Sequence, residues 1–108
     1  MEGLWTAEFG SSIGIFGGGA VVFRDGRIMG GDSTYYYTGE YSLRGNTLNI
    51  TLTVSPFIEG AESVFKTVGR EFTLDLVGSL IGQGRAIAQG HPRGMPELNF
   101  GVKLTKRE

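Results

Sequence analysis

Few residues in this chain have the types and spacing that catalysis needs. His91 is the single histidine, and a general base needs a nucleophile and an orienting acid within hydrogen-bond reach. It belongs to His91-Pro92-Arg93-Gly94-Met95-Pro96, which reads as a surface loop. Ser33, in Gly31-Asp32-Ser33-Thr34-Tyr35, lacks the second glycine of a nucleophile elbow and runs into a strand pattern instead of a helix. No catalytic residue is assigned, and the chain reads as a non-enzyme. The absence of cysteine excludes disulfides and thiolate metal sites. Asp25, Asp32 and Asp75 are far apart in sequence and read as turn formers or solvent-facing strand residues, and no acidic run matches a calcium loop. Neither a metal nor a cofactor is expected. Gly14-Ile15-Phe16-Gly17-Gly18-Gly19 does not match the dinucleotide pattern and no helix follows it, so it reads as a flexible approach to a strand. Asn49-Ile50-Thr51 matches a glycosylation acceptor by letters alone, in mid-strand.

The unusual chemistry is aromatic. Gly30-Gly31-Asp32-Ser33 leads into Tyr35-Tyr36-Tyr37 and then Gly39-Glu40-Tyr41. Strand neighbours point to opposite faces, so one core cannot take three adjacent tyrosines. Tyr35, Tyr37, Gly39, Tyr41 and Leu43 share the apolar face, while Tyr36, Thr38, Glu40 and Ser42 share the polar one. Tyr36 is therefore expected outside, as a candidate contact for a partner.

The elements that carry these residues are strands. Nineteen glycines in 108 residues, with no long run at helical period, call for frequent turns and short strands. Residues 4–9 alternate with Trp5, Ala7 and Phe9 inward; 18–24 follow with Phe23 inward. Asp25-Gly26 is the strongest hairpin signal. Strand three is 27–31, strand four carries the tyrosines to 43, and Arg44-Gly45-Asn46 is a second hairpin turn. Leu48, Ile50, Leu52 and Val54 then alternate with Thr47, Asn49, Thr51 and Thr53. Pro56 ends that strand, and 57–67 is an irregular connection with room for one helical turn at 61–65. Strand six, about 68–78, places Phe72, Leu74 and Leu76 inside. A turn at 79–82 leads to strand seven, 84–89, whose inner Gly84, Ala86 and Ala88 are small enough to leave room for tyrosines across the interior. Leu98, Phe100, Val102 and Leu104 make the last strand.

Eight short antiparallel strands in simple sequence order form a sandwich or a barrel. The barrel is favoured because closure removes exposed edges, giving an all-β, eight-stranded, up-and-down, lipocalin-like barrel in one domain spanning 1–108. Such a barrel is either filled by side chains or holds one small ligand. Trp5, Phe9, Phe23, Tyr35, Tyr37, Tyr41, Phe72 and Phe100 are the expected lining of any interior cavity, and its occupant would be a small apolar ligand.

Net charge is −1, with ten Lys and Arg spread along the chain, 40 % hydrophobic and 19 % charged residues. That balance argues against a nucleic-acid surface or a polybasic membrane anchor, which need clustered positive charge. The N-terminal residues have neither a basic start nor an apolar signal region, so a cytoplasmic location is expected.

Gly3-Leu4-Trp5-Thr6-Ala7-Glu8-Phe9, Val22-Phe23-Arg24-Asp25-Gly26-Arg27-Ile28 and Gly30-Gly31-Asp32-Ser33-Thr34-Tyr35-Tyr36-Tyr37-Thr38-Gly39 together resemble the bacterial GrlR-like family, named for a negative regulator of type III secretion genes. The likeness extends to Ser63-Val64-Phe65 and the final strand. It implies a lipocalin-like barrel that forms a homodimer and binds a partner transcription activator. An uncovered strand edge, or outer apolar residues such as Val22 and Ile87, would supply the dimer contact. The regulator that gives the family its name carries an acidic Glu-Asp-Glu-Asp surface motif, and the matching turn here is Leu43-Arg44-Gly45-Asn46. Arg44 reverses that charge, so it is a candidate partner contact of different specificity, and acidic recognition of the same activator is not carried over.

Overall fold

The computed structural model describes residues 1–12, 16–58 and 71–108, with the backbone alone at Phe16. Eight strands run in chain order: β1 (Gly3–Ser11), β2 (Phe16–Arg24), β3 (Arg27–Gly31), β4 (Tyr35–Arg44), β5 (Thr47–Pro56), β6 (Phe72–Gly82), β7 (Arg85–Pro92) and β8 (Phe100–Lys106). Each pairs antiparallel with its neighbours, and β1 pairs with β8 to close the barrel. The expected meander and closure are both present.

Tight turns set the registers at one end. Asp25 and Gly26 have φ of 50° and 79°, the two positive values of a type I′ turn, between the paired Arg24 and Arg27. Gly45, with φ of 60°, opens the turn between Arg44 and Thr47. The β6–β7 turn differs from expectation. Residues 79–82 belong to β6, with a register shift between Leu80 and Gly82, and the chain reverses at Gln83-Gly84. The glycines there suggest a break, yet β6 runs through Gly78 and on to Gly82. A Cβ on Gly78 would lie 1.8 Å from the Ile87 carbonyl oxygen, so only glycine admits the close approach of β7 at this position.

Other boundaries move for related reasons. β1 continues through Gly10 and Ser11, which pair with Gly101 and Phe100, two residues beyond the end expected at Phe9. β7 continues through His91 and Pro92, opposite Asp75 and Leu74, where a loop was expected. Proline is tolerated at this strand end because Arg93 N carries the ladder on, donating to the Thr73 carbonyl at 2.7 Å. β8 starts at Phe100, because Leu98 is held in a turn by its N–H to the Met95 carbonyl. The helical turn expected at 61–65, the start of strand six at 68–70 and Ser63-Val64-Phe65 lie outside the described residues.

The core follows the period-two pattern. Trp5, Phe23, Tyr37, Leu48, Ile50, Leu74 and Ala86 are among its buried members, each fully buried large side chain contributing about 1.5–3 kcal/mol. Among the described residues no helix is long and apolar enough to cross a membrane.

Candidate functional site

The two ends of the barrel are built differently. At the end of the tight turns, Trp5 meets Phe23 edge-on at 5.8 Å between ring centroids, and Phe23 meets Tyr41 edge-on at 5.0 Å. The Trp5 indole N–H donates to the Met1 carbonyl oxygen at 2.9 Å, and the Tyr41 hydroxyl donates to Glu2 Oε2 at 2.8 Å. That Glu2 carboxylate also accepts the Asp25 N–H of the β2–β3 turn at 3.0 Å. Rings and N-terminal residues together seal this end. The Tyr41 hydrogen bond, with smaller help from the turn N–H, holds the Glu2 carboxyl below its ordinary value, whereas burial first and the bond to Glu2 second push the Tyr41 phenol up.

Toward the opposite end the interior is hollow. A cavity of about 300 Å³ extends from Phe23 and Leu104 up to Asp32, Ser33 and Thr34 of the β3–β4 connection. Its wall is aliphatic and aromatic along most of its depth, and Phe9 stacks on Phe100 at 5.7 Å near the mouth. Six of the eight aromatics expected to line an interior do so: Phe9, Phe23, Tyr35, Tyr37, Phe72 and Phe100. Trp5 and Tyr41 share their inward face but lie beyond Phe23, in the sealed end. Ala86 and Ala88 are buried as expected, but neither borders the cavity. The room left for Tyr37 comes instead from Gly19, where a Cβ would lie 3.0 Å from the Tyr37 hydroxyl.

Asp32 is the polar centre of the mouth. Its Oδ1 accepts the Thr34 N–H at 2.9 Å and the Tyr35 N–H at 2.8 Å, an Asx turn that fixes the carboxylate, and the Thr34 hydroxyl adds a longer bond at 3.3 Å. Oδ2 accepts the Tyr37 hydroxyl. Burial, reinforced by the carboxylate beside it, raises the Tyr37 phenol well above its ordinary 10.0, so it stays a protonated donor. Sequence reasoning found the turn role of Asp32 but not its grip on a buried phenol. The usable signal was spacing: an Asx-turn aspartate five residues before an inward tyrosine has one oxygen committed to the turn and one left for the interior.

The two residues expected on the outside are there. Tyr36 is 47 % exposed and Arg44 is exposed at the β4–β5 turn. They share the outer face of β4 but stand at its opposite ends, about 26 Å apart at 3.3 Å per residue, so they do not form one site. Near Tyr36, Phe57 and Ile58 follow β5 and are exposed as well, with Phe57 N–H donating to the Thr34 carbonyl at 3.0 Å.

His91 and Ser33 are not brought together: His91 sits opposite Asp75 on β6–β7, and Ser33 lies at the cavity mouth. Asp75 is engaged by the Arg93 guanidinium at 2.7 and 3.0 Å, which holds its carboxyl below the usual range. Among the described residues, no three His, Asp or Glu side chains gather as a metal-holding group. No protein-family model matches the chain, and no curated protein matches it.

Proposed function

We propose that the protein is a non-enzymatic binding module whose barrel carries a small, largely apolar ligand. The observation that carries this reading is the cavity: about 300 Å³ of apolar-walled space inside the barrel. That volume is at the lower end of small-molecule sites and, at about 30 Å³ per water-sized group, accommodates about ten non-hydrogen atoms. Titration with octan-1-ol, followed by NMR, tests it. Saturable shifts confined to residues such as Phe72, Leu74 and Phe100 are expected, and a Val21→Trp substitution that fills the space abolishes them. Absence of saturable binding would sink the proposal.

The exposure of Tyr36, Phe57 and Ile58 favours a second reading, a regulator that acts by binding a protein partner, as the GrlR-like resemblance implies. A transcription activator is the partner class that resemblance suggests, and a homodimer is its expected state. Among the described residues the strands close into a ring, which favours the outer faces of Val22 or Ile87 over a strand edge as the dimer contact. Light scattering at micromolar concentration checks the dimer, and a monomer would exclude it. Co-purification lost on Tyr36→Ala with unchanged melting temperature supports the protein-binding reading; failure to recover a stable partner from native cytosol counts against it.

A further inference from the structure

We propose that the cavity selects an apolar chain ending in a hydrogen-bond donor, a primary ammonium ahead of an alcohol, and rejects one ending in a carboxylate. This rests on the ligand-binding reading above and names the chemical class of that ligand.

Charge and the direction of the hydrogen bonds at the mouth carry the argument. Among the described residues on the cavity wall, Asp32 is the single Asp, Glu, Lys, Arg or His. The N–H groups of Thr34 and Tyr35 and the hydroxyl hydrogens of Thr34 and Tyr37 all point at its carboxylate. Those donors are spent within the protein, so what Thr34, Tyr37 and Asp32 still offer an incoming group is lone pairs. Each oxygen of an ionised carboxylate has about two acceptor sites. On Oδ2 the Tyr37 hydroxyl takes one, leaving a further site on an oxygen held still by the turn. An ammonium meets an acceptor of opposite charge there, already oriented, and forms a charge-assisted hydrogen bond. An alcohol can donate one neutral hydrogen. A carboxylate brings a like charge beside Asp32 and has no hydrogen to give its fixed oxygen, so the contact that favours the other two heads is repulsive for it.

Octylamine, octan-1-ol and octanoate share one chain and differ at the head, and each falls near the size the cavity admits. Calorimetric titration of the three at pH 7 and 0.15 M salt, where charges beyond about 8 Å are screened, reads the selectivity directly. Octylamine is expected to bind about tenfold tighter than octan-1-ol, and octanoate more weakly than both. Asp32→Asn removes the charge and is expected to bring octylamine and octan-1-ol within about threefold of each other, whereas Glu40→Gln on the exposed outer face leaves the order unchanged. Octanoate binding as tightly as octylamine in the unsubstituted protein overturns the proposal without any variant, so a failure of Asp32→Asn to fold does not shelter it. An unchanged order in a folded Asp32→Asn protein also overturns it. Binding of octan-1-ol as tight as octylamine defeats the head-group preference while sparing the cavity reading; binding by none of the three removes both.

Discussion

Tyr37 concentrates more consequence than any other side chain. Only 6 % exposed, it delivers its hydroxyl to a carboxylate that also organises the β3–β4 turn. Tyr37→Phe leaves Oδ2 of Asp32 without this donor and is expected to cost about 1–3 kcal/mol, the range for a buried bond to a charged group, measured by urea unfolding. The phenol also sets an alkaline limit. Its pKa in the folded chain is raised above the ordinary 10.0 of an unfolded tyrosine, so its contribution is fully present below about pH 10 and is lost as pH rises toward the folded value. Ultraviolet titration is expected to show tyrosine that ionises only as the protein unfolds, with one tyrosine fewer in that late step for Tyr37→Phe. Two carboxylates near the surface act at the other extreme. Glu2 and Asp75 lie below their ordinary 4.5 and 3.8, so their contributions hold above those values and fade as pH falls further, weakly because solvent screens both. Glu2→Gln is expected to flatten the fall of melting temperature between pH 5 and 2 by a small amount, to about the accuracy of a careful scan.

Among the elements, β6 shows most clearly why a paired strand contains glycine. Gly78→Ala forces a Cβ against the Ile87 carbonyl and the Ala88 Cα and is expected to cost about 1–3 kcal/mol in chemical denaturation. Gly101→Ala on β8 meets no atom within 4 Å and is expected to change stability by less than about 0.5 kcal/mol. Equal effects would refute the close-approach explanation. The same physics explains what was legible beforehand. Leu48, Ile50, Leu52 and Val54 alternate without interruption, and Asp25-Gly26 has one good conformation, so β5 and the β2–β3 hairpin could be read directly. The ends of β1, β6 and β7 could not, because Gly10, Gly78, Gly82, Gly90 and Pro92 look like breakers until the neighbouring strand is known. Period two put all the cavity aromatics on the inward face, but it is blind to depth along the barrel. Trp5 and Tyr41 therefore looked equivalent to Phe9 and Phe72 although they plug the opposite end.

For the whole molecule the decisive contact is β1 with β8, which joins Trp5 to Lys106 and Ser11 to Phe100. Such pairing closes almost the full length of the chain and forms late on entropic grounds. Removing residues 100–108 would leave both β1 and β7 with unpaired edges, and the shortened chain is expected to elute from size exclusion as oligomers or aggregate. A well-behaved monomer would show that the ring is dispensable. Charge reading also works at this scale. The near-neutral balance spoke against a polyanion partner, while the single acidic group that matters for the cavity is invisible in any sum.

Leu4 N–H donates to the Glu108 carbonyl at 2.8 Å, and Arg107 N–H returns to the Leu4 carbonyl at 2.7 Å. These contacts place the two ends of the sequence side by side at the sealed base, remote from the mouth. In topological terms the strands form a ring, and the numbering could begin at any of them. A circular permutant that joins residues 108 and 1 through a short linker and opens the chain at Gly45-Asn46 would preserve every strand pairing except the hairpin connection it cuts. A reporter domain fused at residue 108 would hang from the base and leave the mouth clear.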